Sequence, residues 1–377
     1  MSLKNKNITV LGAGIGGLTA AIALARRGAR VSVIEQAREL SEIGAGLQLS
    51  PNGTAVLNAL DLGQRLGRIS TPLEAVELRD YRRGDPVVSM DMTRAHHANP
   101  YLLVHRADLV EMLAASAKRH GVALLFGKKV TGVAIGFDQA TLPVENGPQR
   151  TTKILVAADG VHSLARQTID RRDRPEFTGQ IAWRATIEAR FLPAFNIPAR
   201  ATIWMGPGRH LVTYPLRGGA LINVVAVEER KDWVEEGWNR LDDPENLRRA
   251  FSGFAPEVRR LLSICEDVYL WGLFAHPVSR SWSQGVAVML GDAVHPTLPF
   301  WAQGANMALE DAWVLAHEMD RHDDLQNAYA AYRKRRYQRV RRIVNAARKN
   351  ARNYHLASPA VRFAAHTVLR FAGGVAP

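Results

Sequence analysis

The chain has 377 residues, of which 47% are hydrophobic and 23% charged, as is typical of a globular protein with an ample apolar core. It contains no run of about 18 apolar residues and no signal-peptide pattern, and its single cysteine, Cys265, excludes an internal disulfide and a thiolate-cluster metal site. The formal net charge is +13, much of it in one basic segment over 333–352. These features predict a cytoplasmic protein of about two domains with no membrane span.

The first predicted unit is a strand–helix–strand. Residues 7–11 (NITVL) read as a short apolar strand, and GAGIGG then opens an Ala/Leu-rich helix over 15–27. Gly28 ends that helix, as a glycine often does. The next strand, 30–34 (RVSVI), is followed at once by Glu35.

The rest of the chain predicts two further regions. After Pro175 the pattern changes to long, aromatic-rich strands, and residues 286–290 then read as a buried strand that returns to the first region. The predicted fold class is therefore α/β, with a discontinuous nucleotide-binding domain over 1–175 and 276–325, a β-sheet domain over 176–275 and C-terminal helices over 326–377. Before Pro175 we predict a loop, strand and helix over 43–63, a helix over 105–121, strands over 122–126 and 129–135, and a hairpin over 141–157.

GAGIGG supplies Gly12, Gly14 and Gly17 in G-x-G-x-x-G spacing. The first glycine permits a tight turn, the second lets a pyrophosphate approach the backbone, and the third allows close helix–strand packing. The helix N-terminus offers unpaired N–H groups and a partial positive charge to the phosphates. Glu35 lies where an acid binds a ribose hydroxyl, which suits FAD or NAD as the resident dinucleotide better than NADP.

Two other strands end in an acid. Asp159, in VAADGVHS, lies in a common type of turn, so a ligand role and a plain turn stay open. Asp292 ends the strand in VMLGDAVHPTLPFWAQGANMALEDAWVLA, where its carboxylate can accept hydrogen bonds from ribityl hydroxyls. The helix that opens at Gly304, Ala305 and Asn306 presents its N-terminus to the electron-rich edge of a flavin.

Taken in order, GAGIGG, Glu35, HRADL, ADG and GDAVHPTLPFWAQGANMALEDA resemble the single-component FAD-dependent aromatic hydroxylases over roughly 5–320. This is the p-hydroxybenzoate/salicylate hydroxylase family, and IGAGLQLSPN, TGQIAWRA and AQGANMALEDAW favour its salicylate and 6-hydroxynicotinate branch. The resemblance implies a Rossmann-like FAD-binding domain, an inserted β-sheet substrate domain and a helical C-terminus. It also implies hydroxylation of a small aromatic or heteroaromatic acid or phenol by a flavin C4a-hydroperoxide, with NADH or NADPH and O2 as co-substrates.

The resemblance also assigns roles to residues. It implies that Gly12, Gly14, Gly17 and Glu35 hold the ADP half of FAD and that Arg106 reaches the phosphate–ribityl side. It implies that Asp159 contacts both FAD and NAD(P)H and that Asp292 binds the ribityl chain. It also implies that Gly304, Ala305 and Asn306 lie under the isoalloxazine and that Pro299 lies near its reactive face. Two departures stand out. Ala302 occupies a position where the family often has glycine, and Phe274-Ala275-His276-Pro277 replaces the usual Asp-Arg-x-Pro, so His276 is a candidate for the missing polar role.

The substrate candidates lie on a predicted strand over 208–218. Its alternation places His210, Val212 and Tyr214 on one face. A histidine side chain ordinarily titrates in a range suited to taking a phenolic proton, and His210 with Tyr214 resembles a pair in pyridine-hydroxylating relatives. A structural histidine within the sheet is the alternative for His210.

Other candidates remain open between two roles. Gln48 and Phe300 are candidate substrate contacts, Trp301 and Phe300 suit either a pocket wall or the core, and Arg184 suits either a structural ion pair or a substrate carboxylate. His295 is interpreted as structural, and the His, Asp and Glu spacings suggest no metal site.

The basic C-terminal segment predicts an amphipathic helix with its Arg/Lys face outward. Its apolar positions are Tyr329, Tyr332, Tyr337, Val340, Ile343 and Val344. The basic face is either simply exposed to solvent or a contact for an anionic surface or a nucleic acid. Sequence signatures of nucleic-acid-binding modules are absent, so no nucleic-acid partner is predicted. The alternative function is that of a flavin-dependent epoxidase, halogenase, oxidase or reductase on the same fold. A non-catalytic basic interaction protein is the other alternative. The choice of NADH or NADPH and a homodimeric state stay open.

Overall fold

The computed structural model describes residues 2–40, 46–93, 98–170, 175–192, 198–230, 232 and 240–372. The strands of the described residues, in chain order, are β1 (Asn7–Leu11), β2 (Arg30–Ile34), β3 (Gly46–Leu49), β4 (Ser70–Pro72), β5 (Ala75–Asp80), β6 (Pro86–Asp91), β7 (Leu102–His105), β8 (Ala123–Leu125), β9 (Ala134–Ile135), β10 (Ala140–Leu142), β11 (Arg150–Thr152), β12 (Leu155–Ala157), β13 (Glu176–Glu188), β14 (Arg200–Gly206), β15 (Arg209–Leu216), β16 (Leu221–Glu229), β17 (Leu241–Asp242), β18 (Val268–Ala275), β19 (Ser283–Gln284) and β20 (Ala287–Met289). The α-helices are α1 (Ile15–Ala25), α2 (Pro51–Ala59), α3 (Gly63–Ile69), α4 (Arg106–Arg119), α5 (Leu164–Ile169), α6 (Pro244–Ala250), α7 (Pro256–Leu262), α8 (Gly304–Arg321), α9 (Leu325–Tyr354) and α10 (Pro359–Ala372).

The first sheet has the order β19-β20-β12-β1-β2-β8 and is parallel except for the β19 edge. Val10 pairs with Val33 on one side and with Val156 on the other, and all three are fully buried. Such continuous apolar strands are expected when helices cover both faces of a parallel sheet. As predicted, the chain returns to this sheet at β20, which pairs with β12.

Helix α1 follows β1 and packs against α4 and α8. Nine of its eleven residues are buried, and small alanines let the neighbouring helices approach closely. Gly28 follows this helix with a φ of +88°, a conformation that favours glycine. The carboxyl ends of the parallel strands and the N-terminus of α1 thus meet at one edge of the sheet, where open α/β sheets bind ligands.

The second sheet has the order β17-β18-β13-β16-β15-β14-β5-β6. One face packs on α6 and α7 through a cluster that includes Trp183 and Phe251. The other face contributes Trp271 and Leu273 to a cluster with Phe300 and with Ala347 of α9. Residues 75–91 belong to the predicted nucleotide-binding domain, but β5 pairs in parallel with β14 and antiparallel with β6, so β5 and β6 extend the second sheet. Local alternation could not reveal this pairing because the partner strand lies more than 100 residues away.

Two smaller antiparallel sheets complete the structure. One has the order β3-β7-β4, and the other has the order β11-β10-β9 and contains a hairpin of β10 and β11. The last part of the hairpin predicted over 141–157 was wrong, because β12 pairs in parallel with β1 in the first sheet. Of the predicted loop that leads into β3, residues 43–45 lie outside the described residues.

The C-terminal region is helical, as predicted. Helix α9 begins after Asp324, whose side chain accepts a hydrogen bond from the backbone N–H of Asn327, and it packs on α8. Its predicted apolar positions face inward, but the basic face is not wholly outward, because Arg336 is only 4% exposed. Of the C-terminal helices predicted over 326–377, residues 373–377 lie outside the described residues. Within the described part of the chain, no helix combines the length and the apolar character needed to cross a membrane.

Candidate active site

A cavity of about 830 Å3 lies where the glycine-rich loop, the N-terminus of α8 and the open face of the second sheet meet. Its size is on the scale of cofactor and small-ligand sites, which range over about 300–1,000 Å3. Of the residues that the sequence singled out, the wall contains Gly14, Gln48, Arg106, Arg184, His210, Tyr214, His276, Asp292, Pro299, Phe300, Trp301, Gly304 and Ala305.

The glycine-rich loop has the geometry that its spacing predicts. Gly12 has a φ of +100°, and a Cβ there would lie 2.4 Å from the carbonyl oxygen of Ala158. A Cβ on Gly17 would lie 2.0 Å from the carbonyl oxygen of Gly12. A Cβ on Gly14 would meet no protein atom within 4 Å, so this glycine opens onto free space at the cavity wall.

Glu35 holds the loop in place. Its two carboxylate oxygens accept hydrogen bonds from the backbone N–H groups of Ala13 (2.8 Å) and Ala37 (2.9 Å). Because each carboxylate oxygen has a second lone pair, this arrangement still leaves acceptor capacity for a hydroxyl group. Glu35 does not line the cavity.

Asp159 caps a helix. Its carboxylate accepts hydrogen bonds from the Ser163 hydroxyl (2.6 Å) and from the backbone N–H groups of Leu164 (2.8 Å) and Ala165 (3.3 Å), at the start of α5. Burial raises its pKa in spite of these bonds. This structural role is one of the two alternatives that the sequence left open for the ADG turn.

Asp292 follows β20 and projects into the cavity. Its side chain is open to the cavity space, yet it is surrounded by protein, and this burial raises its pKa. His295, Arg106 and His276 act in the opposite direction and favour the ionised carboxylate. The His276 that replaces the family's Asp-Arg pair therefore lies in the same polar corner as Asp292.

Asn306 is fully buried and ties the first turn of α8 to β3. Its side chain accepts a hydrogen bond from the Ser50 backbone N–H (3.0 Å) and donates to the carbonyl oxygens of Gln48 (3.0 Å) and Ala302 (2.8 Å). Gly304 and Ala305 line the cavity, whereas Asn306 lies behind them. The Asn306 side chain thus fixes the N-terminus of α8 in its position at the cavity.

The departure at Ala302 has a structural consequence. This residue has a φ of +50°, in the left-handed region that costs roughly 1–2 kcal/mol for a residue with a Cβ. A glycine would adopt the same conformation without that cost.

A buried charge network holds the loop between β20 and α8. Asp311 of α8 pairs with His295 and, at 2.6 Å, with Arg336 of α9, and it accepts a hydrogen bond from the Gly291 backbone N–H. Burial would raise the pKa of Asp311, but the interactions with His295 and Arg336 outweigh this effect and lower the pKa to about 2. The structural interpretation of His295 agrees with these contacts.

His210, Val212 and Tyr214 share the face of β15 that borders the cavity, as their alternation predicts. His210 is 2% exposed, and its ring packs on Phe300 with a centroid separation of 5.4 Å. Burial and the neighbouring His355 hold the pKa of His210 well below its ordinary value, so the imidazole is neutral at pH 7.

Phe300 combines the two roles that the sequence left open, since it is buried in a core cluster and also borders the cavity. Trp301, by contrast, is 46% exposed and serves only as wall.

Arg184 lines the same cavity as His210. Its guanidinium stacks over the ring of Trp271, 4.4 Å from the ring centroid, and burial lowers its pKa to about 10. A buried guanidinium beside an open cavity is a favourable place for an anionic group. Gln48 of β3 also borders this space.

Sequence reasoning missed the contribution of α9 and the residue that follows it. Asn350 donates a hydrogen bond to the Phe300 carbonyl oxygen (3.3 Å), Tyr354 packs on His210, and His355 contacts His210 directly. No local pattern could connect these residues with β15, because about 145 residues separate them. Among the described residues, no group of three or more His, Cys, Asp or Glu side chains is placed to hold a metal ion.

The residues at this edge of the first sheet suit FAD. The open backbone at Gly14 and the N-terminus of α1 provide a place for a pyrophosphate, and the α8 N-terminus provides unpaired N–H groups for a flavin edge. Arg106 adds a positive charge, and Asp292 adds a carboxylate open to ribityl hydroxyls.

Comparison with known proteins identifies the family. Residues 5–347 match the model described as "FAD binding domain". The chain is 34% identical over 365 residues to a 3-amino-4-hydroxybenzoate 2-monooxygenase from Streptomyces platensis, covering 94% of this chain and 90% of the relative. It is 34% identical to a 3-hydroxybenzoate 6-hydroxylase from Polaromonas naphthalenivorans (92% and 88% covered) and 31% identical to a 6-hydroxynicotinate 3-monooxygenase from Bordetella bronchiseptica (91% of each).

Solved structures agree with this assignment. Klebsiella pneumoniae HpxO, solved with FAD and uric acid, superposes with a TM-score of 0.84 at 27% identity, covering 97% of this chain and 93% of that one. A salicylate hydroxylase substrate complex shares the fold, with a TM-score of 0.80 at 21% identity and coverage of 99% and 96%. The predicted fold class, FAD cofactor and enzyme class are confirmed, and a non-catalytic interaction protein is set aside. The chain belongs to the FAD-dependent aromatic monooxygenases of the p-hydroxybenzoate/salicylate hydroxylase type.

Proposed function

We propose that this monooxygenase hydroxylates a small aromatic or heteroaromatic ring that carries both a hydroxyl group and a carboxylate. The observation that carries the proposal is the presence of the buried imidazole of His210 and the partly exposed guanidinium of Arg184 on the wall of one cavity. The three curated relatives support it, because each is named for a ring with these two substituents.

In this proposal Arg184 binds the carboxylate of the substrate. An anionic partner would offset the cost of burying the guanidinium, which is the cause of its lowered pKa. The ring of Trp271 fixes the plane of the guanidinium, so the bound ring takes a defined orientation between Arg184 and His210.

His210 acts as the general base for the ring hydroxyl. A neutral imidazole accepts a proton, and loss of that proton makes the ring electron-rich at the carbons that accept oxygen. Tyr214 and Gln48 position the ring, while Phe300 and Pro299 close the wall and exclude water. When bound, FAD supplies the redox chemistry, with reducing equivalents from NADH or NADPH and one atom of O2 delivered to the ring.

The proposal assigns the cofactor side to the loop and helix termini. Gly12, Gly14, Gly17 and Glu35 serve the ADP half, Arg106, Asp159 and Asp292 serve the ribityl and phosphate region, and Gly304 and Ala305 meet the flavin, with Asn306 holding them in place. The FAD-binding domain then comprises 1–175 without the strands of 75–91, together with 276–325, and the substrate domain comprises 176–275 with those strands added. A cytoplasmic location also remains a prediction, which cell fractionation checks. A homodimer remains a prediction as well, which light scattering checks.

The variant His210→Ala tests the base. It is expected to keep bound FAD and to lower the rate of hydroxylation by about 100-fold or more, as loss of a general base does. His120→Ala, at an exposed position at the end of α4, is the matched control. Product formation and peroxide are measured together, and unchanged coupled turnover in His210→Ala would exclude this assignment.

A further inference from the structure

The histidine on the cavity wall is the inner end of a chain of hydrogen bonds that reaches solvent. Nδ1 of His210 lies 2.6 Å from Nε2 of His355, which directly follows α9. Nδ1 of His355 lies 2.9 Å from Oε1 of Glu229. The imidazole of His355 is buried, whereas the Glu229 side chain is 51% exposed.

The Glu229 carboxylate sets the direction of the bonds in this chain, because at 2.9 Å it lies closer to Nδ1 of His355 than Nε2 of Gln180 does at 3.4 Å. Glu229 accepts a hydrogen bond, so Nδ1 of His355 carries the proton, and in the neutral ring its Nε2 is then an acceptor. Nδ1 of His210 must therefore donate to it. This tautomer leaves Nε2 of His210, on a ring that lines the cavity, as the acceptor for a substrate hydroxyl.

The surroundings keep both imidazoles neutral and fixed. Burial lowers the pKa of His210 and of His355, and the Glu229 carboxylate partly opposes the effect at His355. The rings of Phe300 and Tyr354 pack on His210 at centroid separations of 5.4 and 5.2 Å. The backbone N–H of Gly208 donates to the carbonyl oxygen of His355, which ties the turn before β15 to the end of α9.

Glu229 is well placed to accept a proton. The adjacent Glu228 is engaged by Arg209 (2.8 Å) and Arg230 (3.0 Å), whereas Glu229 pairs with His355. Because His210 is 2% and His355 5% exposed, bulk water has little direct access to either ring.

We propose that His210, His355 and Glu229 form a proton relay that moves the proton of the substrate's ring hydroxyl from the cavity to solvent. The proposal rests on the proposed function, since it requires a substrate with such a hydroxyl. His355 lies beyond residue 347, where the family match ends, so the C-terminal segment of this chain supplies the middle of the relay.

The transfer balances without a co-reactant. The substrate O–H bond breaks as its proton binds Nε2 of His210, the Nδ1 proton of His210 passes to Nε2 of His355, and the Nδ1 proton of His355 passes to Glu229. The resulting carboxylic acid releases a proton to water. The ring keeps one negative charge, both imidazoles stay neutral, and proton uptake by the reverse path restores the tautomers when the product is protonated.

Proton release on ligand binding tests the relay. The FAD-loaded, oxidised protein is mixed rapidly with 3-hydroxybenzoate or 3-amino-4-hydroxybenzoate in weak buffer that contains a pH indicator, and binding is followed in parallel by the flavin absorbance. The variants are Glu229→Gln, which keeps an acceptor for His355 but cannot take its proton, and His355→Gln. The control is Glu145→Gln, a half-exposed carboxylate that pairs with Lys129 in a remote hairpin.

The wild type and the control are expected to release a proton as fast as they bind the probe. Both relay variants are expected to bind the probe within about threefold of the wild-type affinity and to release the proton at least about tenfold more slowly. Added formate should restore the rate in Glu229→Gln, where the missing group lies at the surface, and not in His355→Gln. A merely structural role for Glu229 would not produce this rescue.

Two results would overturn the relay, and they are distinguishable. Release rates within twofold of the wild type in both variants, with binding intact, would refute the relay alone. Failure of the wild type to bind either probe, or to oxidise NADH or NADPH faster in its presence, would refute the proposed substrate class and the relay with it.

Discussion

Asn306 provides a quantitative test of how the first turn of α8 is held. The variant Asn306→Ala removes a fully buried amide and leaves three backbone groups without their partner: the Ser50 N–H and the carbonyl oxygens of Gln48 and Ala302. A buried polar group that loses its hydrogen bond costs about 1–3 kcal/mol. Since partial relaxation and water entry reduce the sum, we expect a loss of about 4 kcal/mol in the free energy of unfolding.

This loss converts to a modest shift in melting temperature because the chain is long. With an unfolding entropy of about 2.1 cal/mol/K per residue, 377 residues give about 0.8 kcal/mol per degree, so the expected shift is about 5 °C downward. Thermal unfolding followed by circular dichroism, at one fixed excess of FAD, measures it. Flavin content should fall as well, because β3 and the α8 N-terminus lose their connection.

Asn58→Ala is the matched control. Its amide donates to Ala98 and Asn99 at an exposed site, so we expect a shift of about 1 °C or less. If Asn306→Ala also melted within about 1 °C of the wild type and kept its FAD, the view of Asn306 as the connection between the two elements would be refuted.

The remaining predictions concern the glycine loop, the carboxylate site and the buried network. The Cβ of Gly17→Ala would lie 2.0 Å from the Gly12 carbonyl oxygen, so this variant should give protein without FAD. Gly14→Ala should fold and bind FAD about tenfold more weakly. The ratio of flavin to protein absorbance separates the two variants, and equal FAD content would contradict the assigned roles. Arg184→Gln should raise KM for a hydroxybenzoate by about 10- to 100-fold and should leave KM for the corresponding phenol, which lacks the carboxylate, unchanged. Steady-state kinetics measures both values, and equal effects on the two substrates would argue against a carboxylate contact. Asp311→Asn should destabilise the fold by about 3–5 kcal/mol at pH 7. The pKa of Asp311 in the folded state is about 2, below its ordinary 3.8. This shift makes about 2.5 kcal/mol of the wild type's advantage depend on pH, and that part should be complete above pH about 5 and should be lost as the pH falls through 2. Urea unfolding at several pH values checks this, and a difference independent of pH would contradict it.

The sequence predicted the parts of the site that are local in the chain. The glycine spacing in 12–17 is a local pattern with one geometric solution, and the alternation in 208–218 correctly placed His210 and Tyr214 on one face. The resemblance added the order of these motifs along the chain, which no single motif provides.

The contacts between distant segments could not be predicted. Helix α9 was expected to present its basic residues outward, but Arg336 turns inward because Asp311 and Glu310 of α8 offer it buried carboxylates. The pairing of β5 with β14, which brings 75–91 into the second sheet, and the contact between His210 and His355 depend on tertiary packing in the same way. Hydrophobic periodicity reports which face of an element is buried, and it does not report the partner.

The most direct test of the central claim is turnover by the FAD-loaded protein with a panel of hydroxybenzoates and hydroxypyridine carboxylates. NADH and NADPH oxidation, hydroxylated product and peroxide are measured in the same reactions. We predict that at least one hydroxy acid stimulates oxidation and yields hydroxylated product in near-equal amount to the reduced nucleotide consumed, and that the matching ring without its hydroxyl does not. Stimulated oxidation that gives only peroxide with every member of the panel, or no stimulation by any of them, would contradict the proposed substrate class.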